Sequence, residues 1–469
     1  MTVPIFNKQF TPAKATLYYG NFIHTPKLGA IEVFTNSGAL VDKDGFISKF
    51  YADKTLNEIL KLIDDTTADV VDISANAKSF FFPGFIDTHI HAPQYPNNGI
   101  FGYSTLLDWL TTYTYPLEAS LKNLDKAELV YNKVITRTVA NGTTCAAYYA
   151  TIDTDATNLL TDLALHHGQR AFIGKVCMND NAPDYYIETL EESKESTMEV
   201  IDHIKQVDPK NELVAPILTP RFAPSCTSEL LNWLGDLKKE HHLHSQTHIS
   251  ENKGEIEWVA ELFPNSKSYA DVYNDHGLLD DKTILAHAIH LSDHEKDLIR
   301  SKGSGISHCP ISNSAITSGE ARIRWLLDND IPVGLGTDVS GGFSPSVLST
   351  ARQALLVSRH LAMKTSDHNK LSVEDVLYLA TVGGAKVVGL DDKVGLFKEG
   401  MKWDAQLIDL KAKDSQVDVF EWQVPEETES TSKDDFVKFQ NMVAKWLFNG
   451  DDRNTTKVWV NGRQVHERL

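Results

Sequence analysis

The feature that most constrains the fold is an alternation of short apolar runs with helical stretches through the middle of the chain. Eight runs have the length and apolar character of buried strands, and the segments between them have helical periodicity with few breakers. Eight βα units over about 300 residues predict an α/β fold of the (β/α)8 TIM-barrel type. A doubly wound sheet is the alternative, but it would need a Gly-rich phosphate loop after an early strand. The runs are SFFFPGFIDTHIH, TTCAAYYA, RAFIGKVCM, ELVAPILTPRF, HSQTHIS, TILAHAIH, GISHCPISN and IPVGLGTDVS.

The two ends of the chain carry a different pattern of short β signals. The Asp44-Gly45 and Asn461-Gly462 steps lie between apolar alternations, which is typical of β-hairpin turns. We therefore predict a small β-sandwich built from residues 1–78 and 391–469, with the barrel occupying residues 79–390. The stretch PEETESTSKDD is predicted to be a charged surface loop within the carboxyl-terminal part.

Composition narrows the classes of partner and compartment. The formal net charge of -19 disfavours nucleic acid and anionic membranes, because both are bound mainly through clustered Lys and Arg. The four cysteines form no CxxC pair, so the sequence suggests neither a disulfide framework nor a thiolate zinc site. No run approaches the ~18 apolar residues of a membrane span, and the amino terminus lacks a signal-peptide core. We expect a cytoplasmic protein with a small-molecule substrate.

Metal-binding types of side chain lie at the carboxyl ends of four of the eight predicted strands. His89 and His91 share one face of the first strand, because side chains two residues apart project from the same side. His248 ends the fifth strand, His287 ends the sixth, and Asp338 follows the eighth. Each could separately be a packed histidine or a helix cap, but the strand ends of a barrel converge on one site. Together they predict a metal centre.

The types of ligand indicate the chemistry. Histidine nitrogens with one carboxylate suit Zn²⁺, and Fe²⁺ or Mn²⁺ accept the same ligands. A bound divalent ion lowers the pKa of water toward about 7, which favours hydrolysis at neutral pH. Glu251, three residues beyond His248, is a candidate proton carrier, and its alternative role is an exposed carboxylate at a helix start. His287 and Asp338 could orient the hydroxide and take its proton.

The constellation resembles the amidohydrolase superfamily, whose members combine HxH on the first barrel strand, His on the fifth and sixth, and Asp on the eighth. The flanking β-sandwich from both termini is similar as well. The HxxE sequence from His248 to Glu251 resembles the deaminase branch, in which the glutamate shuttles the proton. For His287, the resemblance leaves open whether it ligates the metal or only orients water. The implied metal ligands are His89, His91, His248 and Asp338.

Longer strings narrow the resemblance to the guanine deaminases of this superfamily. They are DTHIHAPQY, LLDWLTTYTYPLE, NGTTCAAYYATI, GQRAFIGKVCM, TPRFAPSC, HISEN, HCPISNSAITSG and GLGTDVSGG. The resemblance implies that guanine is bound by Gln94, Arg221 and Phe222, next to His91, His248 and Asp338. An amide, a cation and an aromatic face are chemically suited to a purine. As alternatives, Phe222 could be only a core residue, and Arg221 could pair with a carboxylate.

The implied reaction is hydrolytic deamination of guanine to xanthine and ammonia, with one Zn²⁺ per chain in a homodimer. The alternatives are another deaminase of the superfamily, acting on cytosine, a triazine or an adenine derivative, and a catalytically inactive scaffold of the same fold. The chain lacks the PCxxC pair of the other zinc deaminases. The segment LLDWLTTYTYPLE is predicted to be a loop and helix that closes the site or contacts a second subunit. Lys175 is predicted to be packed or salt-bridged rather than a carbamylated bridge between two metals.

Overall fold

The structure is a computed structural model that describes residues 10–63, 68–425 and 433–468. It contains two sheets, and every strand belongs to one of them. The strands are β1 (Thr16–His24), β2 (Glu32–Val41), β3 (Ile47–Tyr51), β4 (Asp69–Asp72), β5 (Ser79–Pro83), β6 (Phe85–His91), β7 (Thr143–Tyr149), β8 (Arg170–Gly174), β9 (Val176–Cys177), β10 (Val214–Pro220), β11 (His244–Ile249), β12 (Thr283–His287), β13 (Gly305–His308), β14 (Val333–Leu335), β15 (Ala405–Asp409), β16 (Thr455–Val460) and β17 (Arg463–Glu467).

The helices mainly connect the barrel strands. They are α1 (Leu56–Leu62), α2 (Leu106–Trp109), α3 (Tyr115–Ser120), α4 (Leu124–Ala140), α5 (Thr154–His167), α6 (Leu190–Val207), α7 (Ser228–His241), α8 (Lys253–Leu262), α9 (Tyr269–Asp275), α10 (Asp293–Lys302), α11 (Pro310–Ala315), α12 (Ile323–Leu327), α13 (Val347–Lys364), α14 (Val373–Tyr378), α15 (Gly384–Val387) and α16 (Lys433–Asn449). Single turns of 3-10 helix cover Ala92–Asn97, Ala223–Ser225, Asp367–Asn369 and Glu421–Gln423, and π-helical turns cover Leu110–Thr114 and Leu379–Gly383. Among the described residues, no helix is long and apolar enough to cross a membrane.

The larger sheet closes into a barrel. Its parallel strands follow the order β6, β7, β8, β10, β11, β12, β13 and β14, and the pairing of Leu335 with Asp87 brings β14 back to β6. The short strand β9 continues the direction of β8 and pairs with β10. The predicted (β/α)8 barrel is confirmed, and it follows that the strand ends carrying the candidate ligands face one opening.

The smaller sheet is built from both ends of the chain, as predicted. Its strands follow the order β17, β16, β15, β5, β1, β2 and β3, with β4 beside β1. The two predicted hairpin turns lie between β2 and β3 and between β16 and β17. Gly45, Asn461 and Gly462 have φ of 81°, 52° and 77°, the left-handed conformation that such turns require. The predicted domain limits at 78 and 390 stay a prediction.

The first predicted strand is two strands in the structure. Ser79–Pro83 pairs with β1 and β15 in the terminal sheet, whereas Phe85–His91 begins the barrel. Gly84 separates them where the chain passes tightly against β7, since a Cβ at Gly84 would collide with the side chain of Thr144. Most of the predicted charged loop, residues 426–432, lies outside the described residues.

A buried ion pair joins the barrel to the terminal sheet. Arg170, at the start of β8, donates from Nε and Nη2 to the two carboxylate oxygens of Asp404 at 3.1 Å each. The main-chain N–H of Asn461 donates to the same carboxylate at 2.7 Å. The two charged side chains are only 7% and 2% exposed, so neither charge is solvated by water.

We expect Asp404→Ala to lower the free energy of unfolding by about 3–5 kcal/mol, because it leaves the Arg170 guanidinium buried without its counter-charge. Urea denaturation followed by circular dichroism measures this loss. The control is Asp69→Ala, which breaks an ion pair to Lys14 whose side chains are 55% and 53% exposed. That change should cost below about 1 kcal/mol. Equal losses in the two variants would contradict the structural role of the buried pair.

Candidate active site and metal centre

The candidate metal ligands lie together at the carboxyl end of the barrel. The Nε2 atoms of His91 on β6 and His248 on β11 are 3.2 Å apart. Asp338 Oδ1, from the loop after β14, lies 3.3 Å from His89 Nε2 and 3.5 Å from His91 Nε2. His287 Nε2, at the end of β12, is 3.7 Å from Asp338 Oδ2. The structure therefore brings all five predicted side chains to one point.

The backbone around these residues is held in an uncommon conformation. His287 and Asp338 have φ of 72° and 47°, in the left-handed region that non-glycine residues rarely adopt. Asp87 on β6 accepts hydrogen bonds from the N–H and the Oγ1 of Thr337 at 2.9 Å and 2.5 Å, which fixes the loop that carries Asp338. Backbone strain of this kind persists where surrounding contacts over-determine it, and it is concentrated at functional sites.

The donor set fits a divalent metal ion. Among the described residues, neither ring nitrogen of His89 makes a hydrogen bond, and His287 Nε2 also makes none. Buried polar atoms normally have partners, so these unpaired nitrogens fit a site that binds a metal ion. His248 Nδ1–H donates to the main-chain carbonyl of Arg221 at 2.6 Å, which leaves its Nε2 as the free lone pair that a metal requires.

The charge states suit metal binding too. Burial lowers the pKa of His91 and His248 well below the usual range, and the neighbouring His89 adds to this effect, so both imidazoles stay neutral. Burial alone would raise the pKa of Asp338, but the close approach of His89 Nε2 to its carboxylate outweighs burial and holds this pKa below the usual range. Neutral imidazoles around an ionised carboxylate are the forms that bind Zn²⁺.

A second, overlapping group of possible ligands adds Cys309 to His89, His287 and Asp338. Burial raises the pKa of the Cys309 thiol well above its usual range, and Asp338 raises it further. A protonated thiol is a poor ligand, since the thiolate is the form that binds metals. The histidine and aspartate set is therefore the better metal site.

Glu251 stands next to the ligands and is shielded from water. Its Oε2 lies 3.4 Å from His287 Nε2, and its side chain is 3% exposed. Burial raises the pKa of Glu251 well above its usual range, with further contributions from Asp338 and Glu255. Glu255 accepts the N–H of Glu251 at 2.9 Å, so the turn that presents the carboxyl group is fixed. The exposed helix-start carboxylate considered as its alternative role does not fit this burial.

The predicted substrate-binding residues Gln94, Arg221 and Phe222 line one cavity. We refer to these three as the recognition residues. Three of the candidate ligands and Glu251 line the same cavity, namely His91, His248, Asp338 and Glu251. The apolar part of the cavity wall comes mainly from the segment predicted to close the site, including Leu106 and Trp109. This segment is a run of short helices, α2, a π-helical turn and α3, rather than a loop and one helix.

Comparison with known proteins assigns the family. The model of the amidohydrolase family matches residues 80–465, which is most of the chain. The chain belongs to the amidohydrolase family. Its relatives include a protein of Schizosaccharomyces pombe named probable guanine deaminase, 48% identical over 96% of this chain and 83% of the relative. The guanine deaminase of Homo sapiens is 40% identical over 97% of each chain. The resemblance predicted from the motifs is therefore confirmed.

A solved structure is similar over the same extent. It is a guanine deaminase from C. acetobutylicum with guanine bound in its active site. It is 33% identical to this amidohydrolase, with a TM-score of 0.85, and the match covers 97% of this chain and 100% of that one. The similarity therefore includes the barrel and the terminal sheet together.

One site residue of this amidohydrolase was missed by the sequence analysis. Glu118, on α3, is fully buried and forms a two-pronged ion pair with Arg221, with distances of 2.7 Å and 3.1 Å. The pairing of Arg221 with a carboxylate, considered as an alternative to substrate binding, thus exists alongside the position of Arg221 in the cavity wall. The sequence feature that could have indicated a buried carboxylate was the single glutamate in the largely uncharged string LLDWLTTYTYPLE.

Lys175 is not available as a bridging ligand. Its Nζ lies 2.6 Å from Glu188 Oε1, and the lysine and glutamate side chains are 1% and 8% exposed. The prediction of a salt-bridged lysine is confirmed. An amine held as a charged ion pair does not form the carbamate that a bridged pair of metals would need.

Proposed function

We propose that this amidohydrolase hydrolyses guanine to xanthine and ammonia. The observation that carries the proposal is the cavity, where a metal-type ligand set, a buried glutamate and the three recognition residues face one another. Guanine deaminases among the relatives, matched over nearly the whole chain, and a similar structure that contains guanine support the same substrate.

We further propose one Zn²⁺ per chain, held by His89, His91, His248 and Asp338. A divalent ion in such a site supplies Lewis acidity and makes water a competent nucleophile at neutral pH. The Lys175–Glu188 ion pair supports a single ion rather than a bridged pair. We propose that His287, whose Nδ1–H donates to Asn313 Oδ1 at 2.8 Å, orients water from its Nε2.

The proton transfers are assigned to three side chains. Glu251 gives a proton to the ring nitrogen beside the carbon that bears the amino group. Asp338 Oδ2, assisted by His287, takes the proton released by water and passes it to the departing amine. As the C–N bond breaks and ammonia leaves, the hydroxyl of the adduct becomes the carbonyl of xanthine, and its proton returns to Glu251. All three side chains are buried, so bulk water does not compete for these protons.

Guanine is held by the recognition residues. Phe222, 4% exposed, offers an aromatic face for the purine ring, and its own edge contact with Trp258 fixes the ring plane. Arg221 donates to the guanine carbonyl, and Gln94 offers both a donor and an acceptor. His91, His248 and Asp338 also lie within reach of the substrate, on the metal side of the cavity.

The test is ammonia release by the purified protein with guanine, adenine, cytosine, a triazine and no base. Release with guanine alone supports the proposal. Release with another base and not with guanine would assign the protein to a different deaminase of the family. No release from any base, with metal bound, would indicate an inactive scaffold.

Two ligand variants test the metal assignment. We expect the parent protein to contain about one zinc ion per chain, and His89→Ala or His248→Ala to contain below about a tenth of that amount, because each removes a first-row-metal ligand. Metal analysis after gel filtration measures this directly. The control is His203→Ala, which removes a half-buried histidine paired with Asp162 on the barrel exterior. Full zinc occupancy in the two ligand variants would contradict the assignment.

We also propose a homodimer located in the cytoplasm. Exposed apolar side chains in and just before the segment that lines the cavity, Ile100, Tyr103 and Leu107, support a subunit contact there. The four cysteines are free and buried, which supports a reducing compartment. Light scattering and cell fractionation test these two points, and a monomer at micromolar concentration or a secreted protein would contradict them.

A further inference from the structure

Glu118 is the acceptor at the centre of a buried polar network behind the recognition residues. Besides its two contacts with Arg221, its Oε1 accepts the Nε2–H of Gln94 at 2.8 Å, and its Oε2 accepts the hydroxyl of Tyr186 at 2.7 Å. The Glu118 side chain is 0% exposed. A carboxylate has about four lone-pair positions, so this network occupies the group completely.

The same network settles which way the Gln94 amide points. An ionised carboxylate can only accept, so the nitrogen of Gln94 must face Glu118. On the other side, the main-chain N–H of Ser340 donates to Gln94 Oε1 at 3.2 Å, so the oxygen must face Ser340. One amide N–H and one oxygen lone pair remain for the cavity that Gln94 lines.

A glutamine whose side-chain amide is free to rotate could not distinguish a carbonyl from an amino group on the ligand. The two ends of a primary amide have nearly the same shape, so a free Gln94 would rotate to match either a carbonyl or an amino group on a ligand. An amide can therefore discriminate only if a neighbouring group makes its rotated orientation unfavourable. A buried carboxylate does so, because rotation would set the amide oxygen against the oxygen of Glu118.

We infer that Glu118 is a positioning residue that determines specificity: it locks Gln94 in one orientation, so that the cavity accepts a ring with a carbonyl beside an N–H and rejects the inverted pattern. This inference rests on the proposed function. Guanine carries that pattern. In 2,6-diaminopurine, an amino group and a bare ring nitrogen replace it, while the amino group at the reacting carbon is unchanged.

The experiment compares kcat/KM for guanine and for 2,6-diaminopurine in the parent protein and in Glu118→Gln. The parent should favour guanine by about 10³-fold or more, as sites built around hydrogen bonds do. In Glu118→Gln, the new amide can accept or donate, so the guanine preference should fall at least about tenfold, mainly through the KM for guanine. The fall is partial because Ser340 still holds the oxygen. Zinc content should not change.

Two further variants keep the test decisive. Glu118→Asp retains a charge for Arg221 but withdraws the carboxylate from Gln94, so it should lower the guanine preference even where Glu118→Gln does not fold. Tyr186→Phe is the matched control, because it removes a donor from Glu118 and leaves the Gln94 contact in place. Its guanine preference should stay within about threefold of the parent's.

A double-mutant cycle shows whether Glu118 acts through Gln94. In a Gln94→Met background, Glu118→Gln should change the preference by less than about threefold. If Glu118→Gln and Glu118→Asp lower kcat/KM for both purines by the same factor, Glu118 is only structural and the inference is wrong. A parent protein that does not deaminate guanine would instead overturn the proposed function.

Discussion

Replacing Glu251 with glutamine is expected to lower kcat for guanine by about 10²–10⁴-fold, the usual contribution of one acid–base group. The carboxyl group is buried, and its raised pKa favours the protonated form that can act as a proton donor. The amide of glutamine preserves the shape of the side chain but cannot transfer that proton. Because Glu251 is not among the proposed ligands, zinc content and guanine affinity should stay near those of the parent.

The measurement is steady-state ammonia release, with zinc content and equilibrium guanine binding determined on the same samples. Glu257→Gln is the matched control, since it makes the same chemical change at an exposed position of α8, the helix that follows Glu251. We expect its kcat to equal that of the parent. If Glu251→Gln turned over guanine at the parent's rate, Glu251 would not be the proton carrier.

The second large effect concerns the choice of base. We expect guanine to be favoured over adenine by about 10⁴-fold or more, because adenine in the same orientation has no amino group at the reacting carbon and has an amino group where guanine has a carbonyl. The Arg221 donor would then face another donor in a buried site, a mismatch that costs about 1–3 kcal/mol, and more for a charged group. Arg221→Ala should raise KM and lower kcat for guanine.

Zinc should remain bound in Arg221→Ala. His248 is held by the main-chain carbonyl of residue 221, and this carbonyl is present whatever the side chain. The measured quantities are kcat, KM and zinc content. Arg221→Lys is a second variant, which keeps the positive charge but cannot form the two-pronged ion pair with Glu118. Equal efficiency of Arg221→Ala and parent on guanine, or equal parent activity on adenine, would refute the recognition role.

The barrel and the clustering of the candidate ligands could be predicted because they rest on short-range patterns. The spacing of His89 and His91 on one strand, and the position of each ligand at a strand end, are properties of the local sequence that the fold brings together. The hairpin turns at Gly45 and Gly462 were predictable for the same reason. Boundaries were harder, as the break at Gly84 shows, because the apolar run continues through the break.

Glu118 could not be predicted by the same reasoning. Its partners Gln94, Arg221 and Tyr186 come from separate connections, and no spacing in the sequence relates them. A single acidic residue in a helical segment usually lies at the surface, so its type gives no sign of burial. Long-range polar networks depend on the three-dimensional packing of these connections, which periodicity does not encode.

The terminal sheet determines the order in which the protein can fold during translation. Strand β5 lies between β1 and β15, and Ser79 pairs with Asp409. One partner of this amino-terminal strand is therefore synthesised only near the end of translation. The barrel strands from Phe85 to Leu335 emerge from the ribosome before that partner. Because chains generally fold unit by unit as they are made, the barrel can close while β5 still has an unpaired edge. A nascent chain at that stage would therefore carry a nearly complete candidate active site and an unfinished, aggregation-prone sheet.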